Sequence, residues 1–304
     1  MWFKNLYLLR LSPDFSLDTE ALQETLASKP FLGCGKDQRE ASGWVSPFGR
    51  HSEQLIHAAN GYVLLTMAQQ ERMLPASVVR EELEERVVEL EAKEARKLSN
   101  REKKDLREQI EFELLPQAFT RTRKLDAWLD ASHGWMVVNT STATQAERLT
   151  KLLRTTVGSL PVVPPKTDIS PASLMTHWLA EGKLPAPFTF GEDCELRSQG
   201  DEKSVAVFKR HELTTEDVHT NLESGKLVSK LGLVWDEKIS FILTDELQIR
   251  RVRFLDVLAD SIKDADPQSF AEKLDIEFSL MTGEVTRLLA DLMQCFKGSE
   301  SSQH

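Results

Sequence analysis

The segment KEARKLSNREKKDLREQIEFELLPQAFTRTRK, residues 93–124, decides how this chain is organised, because it interrupts a β-rich reading with helix. Ser99-Asn100-Arg101-Glu102 has the Ser-x-x-Glu form of a capping box, so a helix restarts there and runs from about Asn100 to Leu115 on a seam of Leu106, Ile110 and Leu114. Upstream, Pro75 closes a strand region, and a charged helix is predicted from about Ser77 to Leu98 with Val79, Leu83, Val87 and Leu90 along one stripe. Two successive helices with thin apolar seams predict a hairpin that projects from the body over residues 76–116. The same segment is basic: Lys93, Arg96, Lys97, Arg101, Lys103, Lys104 and Arg107 fall within about four helical turns, and Arg121, Arg123 and Lys124 follow Pro116.

Working outward, residues 3–11 read as a strand and Ser16 is a candidate cap for the helix after it. Strands are expected around Trp44 to Phe48 and Tyr62 to Met67, the second introduced by the turn pair Asn60-Gly61. After the hairpin come strands at about Phe119 to Leu129 and Trp135 to Val138, then a helix from about Thr144 to Val157. Pro161, Pro164, Pro165 and Pro171 mark a linker. The second half carries strand patterns at Ser204 to Phe208, Lys226 to Trp235, Lys238 to Leu243 and Leu247 to Val252. An Asp236-Glu237 turn, a helix from about Thr214 to Glu223 and one or two helices after Phe254 complete it. The fold class is therefore α+β: a body of residues 1–75 plus 117–165, the inserted hairpin, a second unit of residues 166–298, and a frayed tail over 299–304. Antiparallel sheets are expected in both units.

At 304 residues, 40% hydrophobic and 28% charged, the chain is too apolar for disorder and long enough for real cores. No apolar run reaches the roughly 20 residues of a membrane span, and the first ten residues read as a strand, not a signal peptide, so a cytoplasmic location is expected. Cys34, Cys194 and Cys295 lack any Cys-x-x-Cys spacing, which argues against a thiolate zinc site. His51 and His57 are not at the helical spacing of a zinc pair, and Gly33-Cys34-Gly35-Lys36 lacks the span and the Ser or Thr of a phosphate loop. Neither metal nor cofactor is expected, and no nucleophile elbow is present.

With a formal charge of −10, the basic run must be offset by acid elsewhere, which predicts one basic face on an acidic molecule. The alternative is plain: Glu81, Glu82, Glu84, Glu85, Glu89 and Glu91 precede the run, and the hairpin can be a salt-bridged, solvent-exposed helix pair. Phe119 beside Arg121, Arg123 and Lys124 favours a nucleic-acid surface, since interleaved cations and aromatics suit one. Arg250-Arg251-x-Arg253 and Lys209-Arg210 are further cationic spots, with Arg250 and Arg251 expected on opposite strand faces.

Taken in order, short motifs along the chain resemble the bacterial recombination-associated protein family RdgC. They are Trp-Phe-Lys-Asn-Leu at 2–6, Gly43-Trp44-Val45, Ala59-Asn60-Gly61, Leu74-Pro75, Leu114-Leu115-Pro116, Ala118-Phe119, Leu153-Arg154, the Gly158-to-Pro164 run, Leu213-Thr214, Gly225-Lys226, Lys230-Leu231 and Leu280-Met281-Thr282-Gly283-Glu284. The resemblance implies a homodimeric ring that encloses double-stranded DNA without sequence preference, binds single-stranded DNA more weakly, restrains RecA-promoted strand exchange near the nucleoid, and is not an enzyme. It implies that the hairpin is the tip where two subunits meet, with Phe119 beside that closure. Candidate DNA contacts are Lys97, Arg101, Lys104, Arg121, Arg123, Lys124, Lys209 and Arg210. Gln117 and His211 depart from the pattern expected of the family. Two rival readings stay open, an interaction protein acting directly on the recombinase and a DNA-processing enzyme.

Overall fold

The computed structural model describes residues 2–16, 18–199, 204–255, 258 and 267–297. The expected frayed tail at 299–304 lies outside them. Among the described residues the chain is mixed α and β, with strand pairs in the named sheets all antiparallel.

The first sheet runs β2-β4-β5-β6-β1-β7, from strands β1 (Tyr7–Leu11), β2 (Glu40–Val45), β4 (Tyr62–Met73), β5 (Phe119–Asp130), β6 (Trp135–Val138) and β7 (Val162–Val163). Strand β3 (Ile56–Ala59), absent from the sequence reading, pairs with the start of β4. Asn60 and Gly61 join the two with φ of 53° and 82°, the left-handed pair that a two-residue hairpin requires. Helix α1 (Thr19–Ala27) starts at Asp18, not Ser16: the Asp18 carboxylate accepts from the amides of Glu20 and Ala21. A carboxylate at this end also meets the positive pole of the helix. Helix α4 (Ala143–Val157) lies beside α1, and Leu22, Leu26, Leu149 and Leu153 fill the core under this face with Trp44, Leu65, Met67 and Leu129.

Strands β4 and β5 pair over their full twelve residues, from Tyr62 with Asp130 to Met73 with Phe119. Their far halves run past the end of β6 as an arm, with β2 still paired to β4 from Thr66 to Glu71. At its end stand α2 (Ala76–Glu94) and α3 (Asn100–Leu114), packed through Val79 and Ile110, both nearly fully buried. The capping box is formed: Ser99 Oγ accepts from the Glu102 amide and Glu102 accepts from the Ser99 amide at 2.8 Å. Ala95 takes φ of 53° to close α2. Replacing Ser99 by Ala should cost about 1 kcal/mol of local stability. Amide exchange in residues 96–104 should then accelerate while β4 and β5 stay protected, and unchanged exchange at the tip would show that the cap is not needed.

Residues 161–171 are more than a linker. Val162 and Val163 pair with Leu11 and Arg10, and Pro171 opens α5 (Pro171–Glu181), where its missing amide costs nothing at the first helical position. The second sheet runs β12-β11-β10-β8-β9. It adds to the expected strands β9 (Val205–Phe208), β10 (Leu227–Trp235), β11 (Ile239–Thr244) and β12 (Ile249–Phe254) an unexpected β8 (Phe188–Arg197). Asp236 and Glu237 turn β10 into β11 with φ of 48° and 53°. Helices α6 (Glu216–Glu223) and α7 (Phe270–Cys295) cover one face of it.

The two sheets share a core. Phe3, Leu6, Leu8, Leu64 and Trp128 from the first meet Leu231, Leu233, Phe241 and Ile249 from the second around Phe278, Met281, Val285 and Leu289 of α7. Leu6 and Ile249 are joined by an antiparallel bridge at the sheet junction, and the Lys4 carbonyl accepts from the Val252 amide at 2.9 Å. With Leu6 and Ile249 both facing α7, the other face of the second sheet lies on the same side as α1, α4 and the Phe119–Arg121–Arg123 face of the arm.

Candidate nucleic-acid interface

Antiparallel pairing splits the arm cations. Strand alternation puts Phe119, Arg121 and Arg123 on the side of Leu125, Ala127 and Leu129, and Lys124 with Thr120 and Thr122 on the other. Arg121 stands opposite Glu71 and Arg123 opposite Gln69, and Arg123 reaches Glu71 at 3.6 Å. Arg121 and Lys124 are exposed and make no ion pair among the described residues. Helix α4 adds Arg148 and Lys151 to the Arg123 side, Arg148 lying 3.5 Å from Glu40.

Phe119 is 81% exposed and pairs across the strands with Met73, 46% exposed. An aromatic this open at the far end of the arm, where the helical hairpin begins, does not serve the core of its own chain.

At the far end of the hairpin the acids answer most of the cations. Arg96 is held by Glu94 and Glu102, each at 2.6 Å, Lys103 by Glu91 at 3.5 Å, Lys104 by Glu108 at 3.8 Å, and Arg107 by Glu111 at 3.2 Å. Hydrogen bonds from Arg96 and from the Ser99 amide and hydroxyl push the Glu102 carboxyl down to about 2. Nearer the root, Arg86 bridges Glu82 at 2.8 Å and Glu113 at 2.7 Å, fastening α2 to α3. The salt-bridged alternative therefore describes much of this hairpin. Lys97 and Arg101 are the members of the nominated set there that are exposed and make no ion pair among the described residues. About 20 Å of helix separates Arg101 from Leu114, so these cations and those of the arm form no single patch.

Lys209 and Arg210, adjacent in sequence, diverge. Arg210 takes φ of 51° and its amide donates to Asp193 Oδ1 at 3.3 Å, while its side chain borders a hollow with Phe190, Glu192 and His211. Lys209 lines a different groove with Lys230, Arg250, Arg251, Asp193 and Glu195. The expectation that Arg250 and Arg251 face opposite ways is corrected: Arg251 sits at φ of 52° in a bulge of β12, alternation breaks, and both residues line this groove. Burial works against ionisation of Glu195, yet Lys230 at 2.6 Å and the Ser229 hydroxyl at 2.9 Å hold its carboxyl below the ordinary range. Burial pushes the neighbouring Cys194 thiol up to about 12, so it stays protonated.

A family model described as "Putative exonuclease, RdgC" matches residues 1–299. The chain belongs to the RdgC family. The recombination-associated protein RdgC of Proteus mirabilis is 37% identical over 298 residues, covering 98% of this chain and 99% of its own length. Those of Tolumonas auensis and Aeromonas hydrophila are 36% and 38% identical over 99% of this chain and 100% of theirs. The family description names an exonuclease and the relatives are named for recombination. Among the described residues no group of three His, Cys, Asp or Glu side chains gathers as a possible metal site, and no helix is long and apolar enough to cross a membrane.

Three of the RdgC motifs fall at joints of the fold. Ala59-Asn60-Gly61 makes the β3–β4 turn, Leu74-Pro75 starts α2, and Leu115-Pro116-Gln117 forms a 3-10 turn that redirects α3 into β5. Gln117 is exposed in that turn. Sequence reasoning missed Lys230, Arg250 and Arg251 as a group because neither the bulge nor the register of β8 against β10 leaves a periodic signature.

Proposed function

We propose that this RdgC-family protein binds duplex DNA without sequence preference, closes around it as a homodimeric ring, and limits RecA-promoted strand exchange by occupying the backbone, without catalysing a reaction. The observation that carries this reading is a distribution of charge. In a chain of net charge −10, Arg121 on the arm and Lys209 and Arg250 on the second sheet lie on one side of the fold without an acid partner among the described residues. Cations set apart in this way suit a repeating anion that is not read base by base. Repulsion from the acidic remainder is screened over about 8 Å at physiological salt, so the overall charge does not forbid binding.

Ring closure draws support from both ends of the molecule. Phe119 and Met73 are exposed at the arm, and β9 is an open sheet edge bearing Val205 and Val207, each 52% exposed. The opposite edge, β12, is engaged with residues 4–6. One dyad passing through an arm-to-arm contact and a β9-to-β9 contact would enclose a hole between two copies. A nucleoid-associated, cytoplasmic location and weaker binding of single strands belong to the same reading.

Equilibrium binding to a linear duplex and to a covalently closed circle of the same sequence tests it across a salt series, with the mass of the free protein measured alongside. Neutralising six to ten phosphates predicts a log-log slope of about −5 to −9, with far slower loss from the circle. A slope near zero, or equal loss from both forms, rejects encirclement. Including magnesium and scoring strand shortening in the same samples tests the exonuclease of the family description.

A second reading has its own observation. Val88 and Phe112 are 68% and 63% exposed on the hairpin, a surface suited to direct contact with the recombinase. Binding to RecA in the absence of DNA would favour it.

A further inference from the structure

The groove beside Lys209 is built differently from the rest of the cationic surface. It opens where the two sheets meet, with a volume of about 430 Å³, and its walls carry Lys209, Lys230, Arg250 and Arg251 against only Asp193 and Glu195. Both acids are engaged. Glu195 takes Lys230 at 2.6 Å and also accepts from Ser229, and Asp193 takes Arg251 at 3.4 Å and the Arg210 amide at 3.3 Å. Lys209 and Arg250 are left with no ion pair among the described residues. Arg250 Nε, moreover, is buried and has no hydrogen-bond partner among them. A guanidinium that lines a groove without an acid partner suits an oxyanion there, because its planar donor fork matches phosphate geometry.

We propose that this groove is a phosphate-binding pocket, with Arg250 as the fixed donor and Lys209 as the mobile charge at its mouth. The ligand is a phosphate group, either a diester of a bound DNA backbone or a free phosphate anion. The first source rests on the DNA-binding reading, and the pocket itself does not. The surrounding pairs fit the role. Lys230 and Arg251 are paired with their acids, while Asn5, whose Oδ1 accepts from the Arg251 amide at 3.3 Å, supports the bulge that brings Arg251 beside Arg250. Isolated strands of either unit would not make this site, since Asn5 and Ser141 line it from the first sheet.

Calorimetric titration of the full chain with inorganic pyrophosphate tests the pocket. One site per chain is expected, weakened about tenfold by Arg250→Met and by Lys209→Met, each removing one charge-assisted donor. Lys209 is exposed, so its variant keeps the test valid if Arg250→Met melts early. Titrating the same variants with a short duplex separates the sources. A salt slope shallower by about 0.9 in each assigns the pocket to the DNA backbone. Loss of pyrophosphate with an unchanged duplex slope assigns it to a free anion, and pyrophosphate binding by a wild type that ignores duplex keeps the pocket while removing the DNA reading. No saturable pyrophosphate binding, or binding that neither substitution alters, overturns the proposal.

Discussion

The double substitution Arg121→Ala/Arg123→Ala is expected to weaken duplex binding roughly a hundredfold at low salt, because each guanidinium that no longer meets a phosphate costs about 1.5 kcal/mol. It should also make the salt slope shallower by about 1.8, two phosphates' worth. Both residues extend from the face of the arm that continues past α4 to the uncovered face of the second sheet, the side on which Lys209 and Arg250 stand. Lys124 points the other way, so Lys124→Ala should change affinity by no more than about 0.5 kcal/mol, as an ordinary surface substitution does. Grouping the three by sequence proximity would predict equal effects, and strand alternation predicts unequal ones. The loss should be the same for unrelated duplexes, because a guanidinium on a phosphate reads no base. Equal penalties for Lys124 and the arginines would mean that DNA wraps both faces of the arm. A loss confined to one sequence would contradict backbone contact altogether.

What was legible in the sequence follows from how local each signal is. Ser99 and Glu102 lie three residues apart, and Asn60-Gly61 and Asp236-Glu237 are adjacent, so cap and turns could be read directly. The seam of Val79, Leu83, Val87 and Leu90 against Leu106, Ile110 and Leu114 was legible for the same reason, since helical spacing is a local property. Strand β8 was not, because Phe-Thr-Phe-Gly-Glu-Asp-Cys-Glu-Leu-Arg carries charges on the face that the second sheet leaves uncovered, and its register shifts twice against β10. The candidate interface was the least legible part. Neighbours in sequence such as Lys209 and Arg210 read as one spot, and a positive φ at Arg210 sends them into separate hollows. In the basic run of residues 93–107 the pair Arg107–Glu111 has the local i,i+4 spacing, whereas Lys103 reaches Glu91 only because α2 and α3 dock.

Gly43→Ala is expected to destabilise the protein by about 3 kcal/mol, lowering its melting temperature by roughly 10 °C. A Cβ at Gly43 would lie 2.5 Å from Phe31 Cα, 2.6 Å from Phe31 N and 2.6 Å from Pro30 O, all backbone that cannot swing aside. That approach is built in: the Trp44 amide donates to Lys29 O and the Phe31 amide to Trp44 O, each at 3.0 Å, so the segment after α1 runs as a false strand along β2 and shields its edge. The same segment braces the arm. Cys34 N donates to Gln70 Oε1 at 2.7 Å, and Arg72 ties Gly35 O to Pro116 O and Ala118 O at 3.1 to 3.2 Å, at the root of the hairpin. Pushing residues 30–31 outward should therefore loosen the strands that carry Arg121 and Arg123, and faster amide exchange in residues 69–73 would report it. Gly283→Ala is the matched contrast. Gly283 lies inside α7 with open space where its Cβ would stand, so alanine there should be neutral or stabilise by up to about 1 kcal/mol. Equal melting of the two variants would show that the contact at Phe31 relaxes freely, and the bracing of the arm by residues 30–35 would have to be abandoned.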